Sequence, residues 1–311
     1  MTHAALVGST ASGKSAVALT IARRDSSWEI VSVDSMQVYR GMDIGTAKPT
    51  PAEQAEVPHH LLDIADPWED HDVASFQRRA RAVIDDIEGR GRRALLVGGT
   101  ALYLRAVVDD LQLPGRFPDV RAELEQESDT DALHRRLTDL DPVAAARMEP
   151  SNRRRVVRAL EVTVGSGRPF STYGPGLDQH PPTAFRLVEL RWPRDRLDQR
   201  ITERFDTQLA AGFLDEVRRL RSAPLGMSRS AGQALGYKEL SDHVEGRSSL
   251  EDAVDLALRR TRRFSRRQEK WFRRDPRPVV VAGVGGDVAA AVVAAIDEVE
   301  DVGGRRSSLD G

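Results

Sequence analysis

The sequence contains no cysteine, and this absence removes several kinds of chemistry. Disulfide bonds, thiolate zinc sites and a cysteine nucleophile are all excluded. A chain without disulfides fits a reducing cytosol. The sequence also lacks any run of about 18 uninterrupted apolar residues, and its first residues lack the basic and apolar segments of a secretion signal. We therefore expect a cytoplasmic protein with no membrane association.

Aromatic residues are scarce, at 5%, but the hydrophobic fraction of 40% is enough for a sizeable core. A length of 311 residues allows one large domain or two smaller ones, at roughly 100–200 residues per domain. The net charge of −2 hides a segregated distribution, since basic residues concentrate at 153–158 and 259–274. Such a chain can still present a strong local field.

Five short aliphatic runs predict buried strands, at residues 4–7, 29–33, 93–97, 186–191 and 278–282. Helical patterns between several of them favour an α/β fold with a parallel sheet. A second helical block, at 196–222 and 250–274, follows the fourth run. The third and fourth runs are separated by about ninety residues, too many for a simple loop. We predict an α/β core at 1–115 and 185–302, a helical insertion domain at 116–184, and a disordered tail at 303–311.

The first strand leads into a full G-x-x-x-x-G-K-[ST] motif, Gly8-Ser9-Thr10-Ala11-Ser12-Gly13-Lys14-Ser15. Its glycines allow a tight turn whose N–H groups point at one phosphate, and the following helix adds its positive end. Lys14 supplies a mobile charge and Ser15 a hydroxyl for Mg²⁺, the expected cofactor. The motif predicts a P-loop NTPase-like core that binds a diphosphate or a nucleotide such as ATP. It does not identify the reaction.

The second predicted strand ends at Asp34. Because the carboxyl ends of neighbouring parallel strands share one crevice, we expect Asp34 to lie near the P-loop. From position alone, it could equally be a carboxylate behind the magnesium ligands or a helix N-cap.

Longer motifs follow along the chain. They are Asp-Ser-Met-Gln-Val-Tyr-Arg-Gly-Met-Asp-Ile-Gly-Thr-Ala-Lys-Pro at 34–49, and shorter runs at 58–64, 96–103, 141–145, 158–161, 234–239 and 267–271. Because it carries these motifs in this order, the sequence resembles the bacterial tRNA dimethylallyltransferases, also called tRNA isopentenyltransferases. The resemblance implies transfer of a dimethylallyl group from dimethylallyl diphosphate to N6 of the adenosine 3′-adjacent to the anticodon, in tRNAs that read codons beginning with U. It implies a tRNA anticodon stem-loop as partner, and we expect a monomer with no obligate protein partner.

The same resemblance assigns site residues. It makes Asp34 the general base, acting with Thr10 and Lys14, and gives the diphosphate to the P-loop at 8–15. It assigns tRNA contacts to Asp34, Ser35, Met36, Gln37, Thr100, Arg121, Arg154, Arg155, Arg158, Gln233, Gly236, Tyr237, Lys238, Arg266, Arg267, Gln268, Trp271 and Arg273. Some family members carry arginine where this chain has Gln233. If an arginine is needed on the diphosphate, Arg200 and Arg204 are the candidates.

The chemistry of the reaction supports these roles. The exocyclic amine of adenine is a poor nucleophile, and a carboxylate within hydrogen-bond reach can orient it and accept its proton. The departing diphosphate needs its negative charge stabilised, which Lys14, the loop N–H groups and Mg²⁺ can supply.

Residues 259–274 hold nine basic side chains among sixteen residues, with aromatic residues between them. Arginines at this density repel one another unless an anion neutralises them, and an RNA backbone is the obvious partner. The alternative is a solvated surface helix whose aromatics dock on the core. A second basic segment at 153–158 lies in the insertion. Four histidines lack the spacing of metal ligands and are interpreted as structural or surface residues: His59, His60, His71 and His134.

Three other functions remain open from the sequence. A P-loop small-molecule kinase would explain the loop and Asp34 but not the arginine-rich helix. An enzyme that prenylates free adenine nucleotides would need no RNA surface. An RNA-binding module without catalysis would leave the P-loop and Asp34 without a role.

Overall fold

Short aliphatic runs assemble into a six-stranded sheet in the computed structural model, which describes residues 2–174, 177 and 179–304, with side chains through residue 298. The strands are β1 (Ala4–Val7), β2 (Trp28–Ser32), β3 (His59–His60), β4 (Arg93–Gly98), β5 (Arg186–Arg191) and β6 (Val279–Ala282). Their order is β3-β2-β4-β1-β5-β6, and every pairing is parallel. The α/β prediction is confirmed.

Thirteen α-helices accompany the sheet in the described part of the chain. The first four are α1 (Lys14–Arg24), α2 (Pro51–Glu56), α3 (Val73–Gly89) and α4 (Ala101–Val108). The next four are α5 (Pro118–Gln126), α6 (Thr130–Leu140), α7 (Pro142–Ala146) and α8 (Arg153–Ser166). The last five are α9 (Arg194–Ala210), α10 (Phe213–Ser222), α11 (Tyr237–Val244), α12 (Leu250–Phe272) and α13 (Val288–Gly304). None of these helices is long and apolar enough to cross a membrane.

Both faces of the sheet are covered, as the continuous apolar strands predict. Alternate residues of β1 enter different cores: Ala4 and Leu6 pack in a cluster with α1 and α13, whereas Ala5 and Val7 pack in a larger one with α3, α4 and α12. The central strand β1 is level with its neighbours, since Val7 pairs with Gly98 of β4 and Glu189 of β5. The carboxyl ends of these strands therefore meet at one edge, where the P-loop begins.

The chain divides into two units, one of Met1–Val108 with Pro182–Gly311 and the other of Asp109–Pro181. The second unit contains α5 to α8 and has a core of its own around Leu133, Leu137, Val156 and Leu160. This unit spans 109–181, where the sequence led us to place an insertion at 116–184. Helix α13 runs to Gly304, and the remainder of the predicted tail lies outside the described residues.

Two local features differ from the sequence expectation. The helical block from 196 to 222 is two helices, because Gly212 adopts a left-handed conformation with φ of 97° between the end of α9 and the start of α10. Strand β3 was not predicted, since it has only two residues and no aliphatic run. Its pairing with β2 is supported by His60, whose Nε2 lies 2.7 Å from the carboxylate of buried Glu29.

Candidate active site

The P-loop joins β1 to α1 and has the geometry of a phosphate cradle. Gly13 takes a left-handed conformation with φ of 85° directly before Lys14, the first residue of α1. A Cβ at Gly8 would lie 2.7 Å from the carbonyl oxygen of Leu190, so only glycine fits there. The hydroxyl of Ser12 is buried and has no hydrogen-bond partner within the described residues. The loop thus offers an unsatisfied polar atom and a free helix N-terminus to an anion.

Side chains from the far half of the sequence hold this loop in place. The indole of Trp192 donates to the carbonyl of Ser12 at 2.8 Å. In α9, the Nε of Arg200 donates to the carbonyl of Ala11 at 2.8 Å, and Arg204 donates to the Thr10 hydroxyl at 3.1 Å. Both arginines that sequence reasoning offered as substitutes for an arginine at position 233 are therefore on the P-loop. Gln233 itself lies exposed in the short 3₁₀ turn Ala231–Gln233.

Two cations and one carboxylate influence one another at this edge of the sheet. Burial lowers the pKa of Lys14 to about 8, an effect opposed by the charge of Asp34 and reinforced by that of Arg204. Burial also lowers the pKa of Arg204, again against the attraction of Asp34. The charge of Asp34 thus acts on both Lys14 and Arg204, which agrees with the position near the P-loop expected from the strand order. The surplus of positive charge suits a diphosphate.

Asp34 precedes a turn and not a helix, which removes its interpretation as a helix N-cap. Its Oδ1 accepts the N–H of Met36 at 2.8 Å, and no other hydrogen bond to the carboxylate is found among the described residues. The next residue, Ser35, donates its N–H to the hydroxyl of Thr100, at 3.3 Å. Asp34 and Thr100 thus follow two adjacent strands, β2 and β4, and one carboxylate oxygen remains available to a substrate.

Gln268 of α12 reaches into the same region. Its Oε1 accepts the N–H of Thr10 at 2.8 Å, and its Nε2 donates to the carbonyl of Gly99 at 2.8 Å. The residue is only 7% exposed. The resemblance assigned Gln268 to tRNA contact, but the structure uses both of its amide atoms to hold the P-loop against the end of β4.

Three other residues assigned to tRNA are occupied within the protein. Gln37 is buried; its amide accepts from Ser32 at 2.8 Å and donates to the carbonyls of Thr46 and Ala47 at 3.2 Å. Tyr237 is fully buried, and a Cβ at Gly236 would lie 2.7 Å from the ring of Phe213. The side chains of Gln37 and Tyr237 therefore offer no surface to RNA. They support the 34–49 segment from its buried side.

Glu216 of α10 is a structural centre that sequence reasoning missed. This carboxylate, 2% exposed, accepts N–H groups from Asp43, Ile44 and Gly45 at 2.9–3.2 Å and the hydroxyl of Tyr237 at 2.6 Å. The available signal was its position: it falls on the buried stripe of an amphipathic helix, where an acid requires partners. Glu216 fixes the middle of the motif that begins at Asp34.

The basic helix α12 carries less unpaired charge than its sequence indicates. Arg260 pairs with the buried Glu239, Arg259 lies 3.9 Å from Asp255, and Arg262 and Arg266 lie 4.0 and 3.8 Å from Asp198. Five basic residues at its end have no acidic partner within the described chain: Arg263, Arg267, Lys270, Arg273 and Arg274. All five are exposed. Trp271 is half-buried against the core.

The assigned residues of the second unit also fall into two groups. Arg121 and Arg158 both contact the buried carboxylate of Glu161, at 3.4 and 2.7 Å, and so hold α5 and α8 together. Arg154 and Arg155 are exposed at the start of α8, with no acidic partner in the described part of the chain. In the first unit, half-buried Lys238 pairs with Asp242 at 3.2 Å.

The residues present fit a magnesium ion bound with the diphosphate, because Mg²⁺ prefers oxygen ligands and binds through substrate phosphates with few ligands from the protein. The hydroxyl of Ser15, exposed in the first turn of α1, would be such a ligand. The histidines take other positions. His59 and His134 contact backbone carbonyls, His60 contacts Glu29, and His71 packs against Phe76 and Tyr103.

Comparison with known proteins gives a consistent result. The model of the IPP transferase family matches residues 37–275, and that of isopentenyl transferases matches residues 1–67. The chain is 49% identical to a tRNA dimethylallyltransferase of Kineococcus radiotolerans over 88% of each chain. It is 45% identical to one of Roseiflexus castenholzii, over 96% of this chain and 98% of the relative.

Solved structures show the same fold. A full-length tRNA isopentenylpyrophosphate transferase from Bacillus halodurans is 38% identical, with a TM-score of 0.70 and coverage of 97% of this chain and 98% of the other. A eukaryotic dimethylallyltransferase acting on tRNA matches with a TM-score of 0.80 over 96% of this chain and 79% of its own. At 24% identity, the latter supports the fold alone.

Proposed function

The chain belongs to the IPP transferase family, and we propose that it transfers a dimethylallyl group from dimethylallyl diphosphate to N6 of the adenosine 3′-adjacent to the anticodon, in tRNAs that read codons beginning with U. The single observation that carries this proposal is that Asp34, at the carboxyl end of β2, lies close enough to the P-loop for its charge to act on Lys14 and Arg204. A base for the amine and cations for the leaving group are thereby within range of one another.

The diphosphate end of the donor is assigned to the P-loop. Lys14, Arg204 and the N–H groups at the start of α1 offer positive charge, and the buried Ser12 hydroxyl offers a donor. The Ser15 hydroxyl would hold Mg²⁺, which when bound neutralises part of the charge on the leaving diphosphate. Arg200 secures the loop through Ala11 while its guanidinium stacks 4.3 Å from the Trp192 ring.

Asp34 is assigned the role of general base, the group that accepts the proton of the adenine amine. Its free oxygen accepts a hydrogen bond from the exocyclic amine of the target adenine, which orients the nitrogen lone pair toward the allylic carbon. As the new carbon–nitrogen bond forms, the carbon–oxygen bond to diphosphate breaks and the amine proton passes to the carboxylate. The Met36 N–H fixes the other oxygen, so that Asp34 keeps its orientation. No covalent intermediate with the protein is required.

The exposed arginines are assigned to the tRNA backbone. Arg263, Arg267 and Arg273 of the first unit, and Arg154 and Arg155 of the second, project charge that no acid within the described residues neutralises. A kinase or an enzyme acting on free nucleotides has no use for these side chains, and the names of the relatives do not favour either. We also infer that the enzyme acts as a cytoplasmic monomer.

The test is to incubate the protein with dimethylallyl diphosphate, Mg²⁺ and unmodified tRNA, and to analyse the nucleosides by mass spectrometry. We expect one dimethylallylated adenosine per modified tRNA, with diphosphate released only when tRNA is present and ATP acting at most as a competitor. Phosphoryl transfer from ATP to a small acceptor, without prenylated tRNA, would instead establish the kinase function.

A further inference from the structure

Glu216 is a buried carboxylate to which the proposed reaction gives no part. Its two oxygens accept four hydrogen bonds, three from the N–H groups of residues 43–45 and one from the hydroxyl of Tyr237. Four donors on two oxygens suit an ionised carboxylate, which only accepts, whereas a glutamine would turn its own N–H₂ group toward some of them. Position 216 therefore calls for a negative charge, and that charge holds a stretch of main chain.

The segment 43–45 is also held through its carbonyls. Gln208 of α9 donates its side-chain amide to two carbonyl oxygens of this segment, at 2.6 and 3.0 Å. A Cβ at Gly45 would overlap the ring of Phe213, which lies one helical turn before Glu216 on α10. The segment is therefore fixed on its N–H side, on its carbonyl side and at its glycine.

A chain of hydrogen bonds leads from this segment to Asp34. The carbonyls of residues 46–47, which follow directly, accept the side-chain amide of Gln37 at 3.2 Å each. The amide oxygen of Gln37 accepts the hydroxyl of Ser32 at 2.8 Å. Because Ser32 and Gln37 stand on either side of Asp34, the hydrogen bond between them closes the turn that carries the carboxylate. The placement of that turn thus depends on the main chain that Glu216 holds.

The P-loop is held by different side chains. Its backbone groups are bound by Trp192, Arg200 and Gln268, and none of the hydrogen bonds found for these three side chains in the described part of the chain reaches residues 37–47. Loss of the Glu216 carboxylate should therefore displace the proposed base, while the cradle for the diphosphate stays as it is.

We propose that Glu216 is a positioning residue for the reaction, which acts through the segment 43–47 and Gln37 to hold the carboxylate of Asp34 where it can accept the amine proton. This inference rests on the proposed function, in which Asp34 is the general base. Because Glu216 is only 2% exposed, it acts through these contacts and not on a substrate. A displacement of about 1 Å in a reacting group can cost about 10²-fold in rate.

The experiment is a double-mutant cycle on single-turnover prenylation of tRNA at saturating substrates. Glu216→Gln should lower the rate by about 10–100-fold when Asp34 is present. In the Asp34→Asn background, the same change should alter the rate by about twofold or less, because the base whose position it disturbs is already absent.

Calorimetry with dimethylallyl diphosphate and Mg²⁺ separates positioning from a general loss of structure. The titration counts the molecules that bind the donor, and each rate is expressed per binding molecule. The dissociation constant of the donor should be the same in the wild type and in Glu216→Gln, since the P-loop contacts are separate.

Glu29→Gln is the matched control. Glu29 is also a fully buried carboxylate with partners, since it pairs with Arg90 and His60. It precedes Asp34 by five residues along β2, which is roughly 16 Å at the rise of an extended chain. Its replacement should lower the melting temperature but leave the rate and the donor affinity at their wild-type values.

Gln208→Met keeps the inference testable if Glu216→Gln does not fold. It removes both hydrogen bonds to the carbonyls of the segment 43–45, while a flexible side chain of similar length fills the same space. We expect a smaller loss of rate, about three- to tenfold, which should again disappear in the Asp34→Asn background.

Four results would overturn the positioning role and leave the proposed function standing. They are a wild-type rate in Glu216→Gln, a loss of the same size in the Asp34→Asn background, a loss of donor affinity in proportion to the rate, and an equal loss of rate in Glu29→Gln. If Glu216→Gln does not fold, a wild-type rate in Gln208→Met has the same consequence. A wild-type protein that prenylates no tRNA overturns the proposed function and the positioning role with it.

Discussion

At the candidate active site, the charges of Asp34, Lys14 and Arg204 lie within electrostatic range of one another. Burial lowers the pKa of both Lys14 and Arg204, and the negative charge of Asp34 opposes this effect at each of them. Arrangements of this kind are found where charge develops during a reaction, since ionic groups are costly to bury for structural reasons alone. The same three residues therefore give the sharpest tests.

Replacing Asp34 by asparagine should lower turnover by about 10²–10⁴-fold, because the amide keeps the shape of the side chain but cannot accept the proton. tRNA affinity should survive the change. The measurement is single-turnover prenylation at saturating substrates, with Asp66→Asn as control, since Asp66 pairs with the exposed Arg40 and is assigned no part in the proposed chemistry. Turnover close to the wild-type value would remove the general-base role.

Lys14 predicts a pH dependence for donor binding. Burial lowers its pKa to about 8 in the free protein, so the loop loses this cation as the pH rises through that value. If only the charged form binds, the affinity for dimethylallyl diphosphate should fall by about tenfold per pH unit above it. The unfolded chain keeps its lysine protonated to about 10.4, so the contribution of this group to stability rises with pH between the two values.

The control for this prediction is Lys14→Arg, which stays charged throughout and should bind the donor with an affinity that changes little between pH 7.5 and about 9.5. Calorimetry without tRNA measures donor binding alone, because no adenine amine is present for Asp34 to deprotonate. A wild-type affinity that is equally flat would mean that Lys14 does not titrate in this range or does not contact the donor.

Single residues also mark the limit of sequence reasoning. The P-loop and Asp34 could be placed because the motif and the strand end are local features. Gln268 and Glu216 could not, because their partners lie 258 and 171–173 positions away and only the folded chain brings them together. The burial of Gln37 and Tyr237 was hidden for the same reason: a motif identifies an important residue without saying which way it faces.

At the scale of elements, hydrophobic periodicity predicted the long helices well. It did not predict where a helix is interrupted or where a short strand pairs with its neighbour. The long helix α12 was expected at 250–274 and is found at Leu250–Phe272, because its apolar stripe and its cap at Ser249 are both local. The break at Gly212 depends on one backbone conformation, and β3 depends entirely on its neighbour β2. The acids that neutralise part of α12 come from α9 and α11, which explains why its sequence overstates its free charge.

The exposed end of α12 gives a prediction for RNA binding. Changing Arg263, Arg267 and Arg273 together to alanine should weaken tRNA binding and flatten its salt dependence, by up to about one log–log unit per lost phosphate contact. Binding of dimethylallyl diphosphate alone should be unaffected, since these side chains do not touch the P-loop. Filter binding over a range of salt concentrations measures both quantities.

Arg260→Ala is the control on the same helix. Arg260 pairs with the buried Glu239, so its loss should lower the melting temperature while leaving the salt slope unchanged. If the triple variant melts normally and binds tRNA with wild-type affinity and slope, α12 is only a solvated face.

At the scale of the whole molecule, the catalytic groups and the basic surfaces are distributed unequally between the two units. Every group assigned to the donor and the proton lies in the unit of Met1–Val108 with Pro182–Gly311, whereas Asp109–Pro181 contributes only the exposed arginines of α8. The second unit has its own buried core, and Glu161 ties its helices together from within. Separate cores suggest that the first unit can fold without the second.

The chain ends left by removal of the second unit lie side by side. The hydroxyl of Thr183 donates to the carbonyl of Val108 at 2.6 Å, so a linker of about four Gly and Ser residues can replace residues 109–181. We expect this shortened protein to unfold cooperatively and to bind dimethylallyl diphosphate as the full chain does. Its tRNA affinity should fall by about tenfold or more, because the phosphate contacts proposed for Arg154 and Arg155 would be lost.

The full-length variant with Arg154→Ala and Arg155→Ala separates the effect of losing these two charges from the effect of removing the whole second unit. Both arginines are exposed on a helix whose Val156 and Val157 are buried, so the double variant should keep its fold while losing the same contacts. If its tRNA affinity falls as far as that of the shortened protein, with the same reduction in salt slope, the second unit acts through these charges. If both proteins bind tRNA like the wild type, the arginines of the first unit are sufficient for RNA binding, and α8 has no part in it.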